Sequence, residues 1–92
     1  MKMHLRVARP VCDLVRTERM YCVGLDLAVL ARFQDHQGFD GVMLGSPGMD
    51  YHFEFTHCGE HPVLPRPTIE DLLVFYVPDR QEWSAMGNRL VE

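Results

Sequence analysis

The side chains with chemistry to offer gather in two stretches. Tyr51 to His57 reads Tyr-His-Phe-Glu-Phe-Thr-His, an alternation that puts Tyr51, Phe53 and Phe55 on one face of a strand and His52, Glu54 and Thr56 on the other. The aromatic face must be core. The polar face meets either solvent or a binding cleft, and a carboxylate there can serve as a metal ligand or a general base. Near the start, His4 to Val11 also alternates, with Leu5 and Val7 on one face and His4, Arg6 and Ala8 on the other. His4 can reach the edge of such a cleft, but a lone histidine is more simply a surface side chain.

Other reactive residues are less promising. His57, Cys58, Glu60 and His61 are all able to bind metal, yet H-C-x-x-H on a proline-rich loop fits no common zinc spacing. They are expected to be exposed loop residues, and His36 and Asp35 beside Gly38 to be turn residues. The cysteines, Cys12, Cys22 and Cys58, are odd in number and lack CxxC spacing. Reduced thiols acting as small buried hydrophobes are therefore expected, not a disulfide framework. The sequence contains no phosphate-binding glycine loop and no nucleophile elbow.

The elements that must position these residues are legible in outline. Asp13 is a good N-cap for a helix carrying Leu14, Tyr21 and Leu25, with Gly24 expected to supply the positive φ that stops it. Leu27, Val29, Ala31 and Phe33 resume a period of two. Gly38 and Gly41 read as breakers, Val42-Met43-Leu44 as a short strand, and Ser46-Pro47-Gly48 as its turn. Pro62, Pro65 and Pro67 mark an extended linker. Asp71 to Tyr76 is apolar and aromatic enough for a buried strand. Asp79 and Glu82 form a capping box before a helix whose Trp83, Met86 and Leu90 make an apolar stripe. Val11-Cys12-Asp13 and Val77-Pro78-Asp79 correspond, suggesting an internal repeat.

Ninety-two residues make one small domain, and 47% apolar with 24% charged residues is ordinary globular composition. A net charge of −4 argues against nucleic acid as the main partner, since phosphate binding needs a basic stripe. No apolar run approaches the length of a membrane span, and MKMHLRVARP lacks the apolar core of a signal peptide, so a cytoplasmic protein is expected.

The order strand, helix, three strands, linker, strand, helix, together with DLVRTERMYCVGLDLAVL, YHFEF and DLLVFYVPD, resembles the vicinal oxygen chelate superfamily of glyoxalases, bleomycin-resistance proteins and extradiol dioxygenases. The resemblance implies an α+β fold, with a βαβββ module over residues 1–57, a linker over 58–70 and a partial second module, β-α, over 71–92. In that superfamily two such modules form a U-shaped cleft, often holding a divalent metal through one ligand from each of four strands. Position by position those ligands fall here on Arg6, Glu54 and Leu72, and the last would lie in a strand beyond Glu92. Only Glu54 could ligate, because a guanidinium has no lone pair to offer and leucine has no donor.

A metal-free cleft is the expectation that follows. Arg6 and Glu54 would both point into it and could pair, leaving a charged, desolvated spot that orients a polar group. Arg6, His52, Glu54, Leu72 and Tyr76 are then the candidate ligand-binding residues, with Met43 and Val74 as further apolar wall. The ligand would be a small hydrophobic or polar metabolite or drug. Because the strands that should follow the second helix are absent, a homodimer sharing the cleft is expected. Three alternatives stay open. One is a lyase or dioxygenase relative using Glu54 for metal or base chemistry. The others are a purely structural Arg6–Glu54 pair and a truncated, non-catalytic assembly module.

Overall fold

A computed structural model describes residues 1–60 and 62–91. His61 of the proposed H-C-x-x-H loop lies outside the described residues. The elements run β1 (Leu5–Pro10), α1 (Leu14–Gly24), β2 (Ala28–His36), β3 (Phe39–Gly45), β4 (Tyr51–Cys58) and α2 (Arg80–Leu90). They form one four-stranded sheet in the order β1-β4-β3-β2, parallel between β1 and β4 and antiparallel elsewhere. The helix between β1 and β2 and the two hairpins that follow are the expected βαβββ module of an α+β fold.

The alternation of β4 decides where the core sits. Phe53 and Phe55 join Val42 and Leu44 of β3 as the buried cluster, and α1 lays Tyr21 over them with ring centroids 5.4 Å from Phe53 and 4.7 Å from Phe55. The helix begins as its sequence demands. The Asp13 carboxylate accepts from the Arg16 amide at 3.0 Å, and the Thr17 hydroxyl donates to the Asp13 carbonyl at 2.8 Å. A two-residue turn with positive φ at Gln37 (53°) and Gly38 (84°) closes the β2–β3 hairpin, a geometry matched to strand twist.

Two glycines act differently from the sequence expectation. Gly24 is the last residue of α1 and does not carry the positive φ; Asp26 does, at 57°. Gly24 instead lies under α2, where a Cβ would stand 2.5 Å from the tip of Leu90, Cδ2, and would push that side chain aside. Gly41 is no breaker either. It lies inside β3 beneath the Phe33 ring, where a Cβ would come within 2.0 Å of that ring. An aromatic over a strand glycine fills the space its missing side chain leaves.

The strand expected over Asp71–Tyr76 does not form a ladder. A strand needs a neighbouring backbone in the sheet plane to bond its amides. This segment runs against the helix side of the sheet, with Phe75 5.9 Å from Phe53, and joins by side chains alone. The Asp71 carboxylate, accepting from the Thr68 amide (2.7 Å) and hydroxyl (3.0 Å), turns the chain into it. Those hydrogen bonds hold the Asp71 carboxyl below the usual range. Asp79 caps α2 through the Glu82 amide at 2.9 Å. Arg89 Nε then donates to the Val23 carbonyl at 3.1 Å, docking α2 on α1. Among the described residues no helix is long and apolar enough to cross a membrane.

Candidate functional site

Strand register builds the polar face row by row. Side chains directly paired across neighbouring strands share a face. One row reads Ala8, Glu54, Met43, Ala31, and the next reads Arg6, His52, Gly45, Ala28. Ala8, Ala28, Ala31 and Gly45 fill the remaining positions, so Arg6, His52, Glu54 and Met43 are the long side chains of these two rows. Gly45 is covered: a Cβ there would meet Leu30 Cδ1 at 3.0 Å and His52 Cβ at 3.2 Å, so the glycine lets those two side chains close over it.

Arg6 and Glu54 converge on this face. Arg6 Nε lies 3.5 Å from Glu54 Oε2, with the arginine side chain 56% exposed and the glutamate 14%. A carboxylate this sheltered loses much of its water shell and is compensated by the guanidinium. Two residues nearer the chain start than Arg6 and Glu54 respectively, His4 Nε2 and His52 Nδ1 are 2.6 Å apart, with ring centroids 4.8 Å apart. The polar face thus carries an ion pair and an imidazole pair side by side.

The other residues singled out from the sequence are not brought to this face. Tyr76 borders a groove of about 500 Å³ on the helix side, with Leu5, Val7, Phe53 and Met86. Leu72 stands 70% exposed on the unladdered segment. Both departures have one cause: among the described residues the sheet has four strands, and residues 71–76 pair with none of them to reach the polar side. Val74 lines the same groove, whereas Met43 sits beside Glu54 as the apolar neighbour. His57 Nδ1 lies 3.2 Å from the Val11 carbonyl and serves the β1–α1 corner. Cys58 is buried rather than exposed on a loop, because β4 extends through it. Cys12, expected among the buried thiols, is exposed, because it sits on the β1–α1 corner.

The donor set at the position the superfamily uses for metal does not fit a metal ion. A permanent cation occupies one ligand position and is paired to the carboxylate at the next. Among the described residues no three histidine, cysteine, aspartate or glutamate side chains gather to hold an ion. What Arg6 and Glu54 can do together is present a donor fork and a sheltered acceptor to one small polar ligand.

The sequence reading did not find the partnership of His4 with His52, or the part played by Gly45. Only the non-local register of β1 on β4 reveals the first. The second was hidden because a glycine before Ser46-Pro47 reads as the start of a turn.

Comparison with known proteins agrees with this architecture. The chain is 43% identical over 86 residues to the uncharacterized protein YycE of Bacillus subtilis, covering 94% of this chain and 62% of that protein. It superposes on a crystal structure of a Bacillus subtilis YycE protein of unknown function, a candidate glyoxalase/fosfomycin resistance protein, with a TM-score of 0.87 and 41% identity. That match covers 98% of this chain and 66% of the other, so the chain spans less than two thirds of the relatives it matches. Residues 5–56, from the first residue of β1 to the polar rows of β4, match the YycE-like N-terminal domain, and the chain belongs to that family.

Proposed function

We propose that this chain is a small-molecule-binding module of glyoxalase-like type, with Arg6, His52 and Glu54 as the polar contacts and no metal between Arg6 and Glu54. The observation that carries this reading is the 3.5 Å pairing of an exposed guanidinium with a sheltered carboxylate whose register neighbours are Ala8 and Met43. An Arg6 swung toward the ligand reads a carboxylate or phosphonate, while Glu54 accepts from a hydroxyl or amide. Met43 supplies apolar contact. A four-stranded sheet offers one wall, so a second copy of the chain supplies the opposing wall. The description of the structural relative as a candidate fosfomycin resistance protein supports small phosphonates as the first ligand class to try.

The test is a thermal-shift and native mass spectrometry series with fosfomycin, small carboxylates and apolar metabolites, on the wild-type chain and on Arg6→Ala. Binding to a dimer, weakened at least tenfold in Arg6→Ala, is the expected result. Ligand binding undiminished by Arg6→Ala would sink the assignment.

A second reading is favoured by the burial of Glu54. A carboxylate with 14% of its side chain exposed is placed to act as a general base on a bound ligand. Under this reading Glu54→Gln abolishes turnover but retains binding.

A further inference from the structure

The His4–His52 pair invites a different chemistry from the ion pair beside it. We propose that His4 and His52 form a solvent-facing, two-imidazole site for a divalent transition-metal ion of the zinc, nickel or copper kind. The site adjoins the Arg6–Glu54 pair, His52 being the register partner of Arg6, and does not depend on a small-molecule cleft.

Geometry carries the argument. The two nitrogens, 2.6 Å apart, come from the residue just before β1 and from β4, whose starts are tied by the Leu5 amide donating to the Asp50 carbonyl at 2.8 Å. As the pair stands, one nitrogen must donate and the other accept, so a single proton joins the rings. An ion replaces that proton and takes both lone pairs, with His4 protonated at Nδ1 and His52 at Nε2. At ordinary zinc–imidazole distances, two tetrahedral nitrogens stand about 3.3 Å apart, so the rings must open by roughly 0.7 Å. His4 is exposed and His52 only half-buried, so this movement disturbs no core packing.

Electrostatics permit it. Arg6, paired in register with His52, would repel a cation, but its charge is offset by Glu54. Neutral imidazole suits zinc, nickel and copper better than magnesium or calcium. With no third side chain of ligand type gathered there among the described residues, water completes the coordination and the affinity is modest.

Calorimetric titration of the untagged chain with Zn²⁺ decides the matter, using wild type, His4→Ala, His52→Ala and His57→Ala. One ion per chain is expected, with affinity reduced at least tenfold in His4→Ala and in His52→Ala and unchanged in His57→Ala. Should His52→Ala fail to fold by circular dichroism, His4→Ala alone carries the test, since that side chain is exposed. No Zn²⁺ uptake by the wild type at millimolar ion, or uptake indifferent to His4→Ala, overturns the proposal.

Discussion

Replacing Phe53 by alanine and, separately, its neighbour Glu54 by glutamine separates the two faces of one strand. Phe53 is 3% exposed and its ring meets four others: Tyr21 at 5.4 Å, Tyr51 and Phe75 at 5.9 Å, and Phe55 at 6.0 Å. Truncating a core phenylalanine costs about 3–5 kcal/mol through lost transfer energy and the cavity left behind. The groove bordering Phe53 lets neighbours settle inward, which puts the expected loss near the lower end of that range. At this chain length each kcal/mol shifts Tm by about 4–8 °C, so Phe53→Ala should melt roughly 12–24 °C lower. Glu54→Gln loses only a pair whose arginine is 56% exposed, worth about 1 kcal/mol or less. Urea unfolding followed by far-ultraviolet circular dichroism measures both, and an unchanged m-value assigns the difference to stability. A loss below about 1 kcal/mol for Phe53→Ala, or one as large for Glu54→Gln, would refute the division of the strand into a core face and a polar face that contributes little to stability.

Two further predictions concern α1. Gly24→Val drives a branched side chain into Leu90, so α2 should lift from α1; hydrogen exchange of the residue 80–90 amides should accelerate while β3 and β4 stay protected. Burial, partly offset by Arg9, raises the Tyr21 phenol above the ordinary tyrosine value of 10.0. The folded state therefore holds that proton more tightly than the unfolded chain. Its stabilising contribution is complete below the unfolded pKa and is lost as pH rises through the folded one. Tyr21→Phe should remove this alkaline component from a stability–pH profile, and an unaltered profile would contradict the burial of the hydroxyl.

How much of this was legible in the sequence follows from the range of the forces involved. The helix caps Asp13 and Asp79 act over three residues, and both were readable as written. The alternation of β4 is local as well, and it placed the aromatic core correctly. Gly24 and Gly41 misled because glycine serves close approach as readily as positive φ, and only tertiary neighbours, Leu90 and Phe33, distinguish the two. Asp71–Tyr76 has strand composition but no partner in the sheet plane, and composition alone cannot supply one. The Arg6–Glu54 pair came from position-by-position resemblance, which carried the β1–β4 register with it. The facing of His4 and His52 needed that register at atomic detail.

In the proposed function the sheet's polar face, not the apolar groove behind it, receives a small ligand. The measurement that tests it most directly is nitrogen–proton correlation NMR of the labelled chain, titrated with fosfomycin and a panel of small carboxylates. Saturable shifts at Arg6, Met43, His52 and Glu54 that disappear in Arg6→Ala are the expected result. Shifts confined to Leu5, Val7, Phe75 and Met86, or a polar face that no compound perturbs, would contradict it.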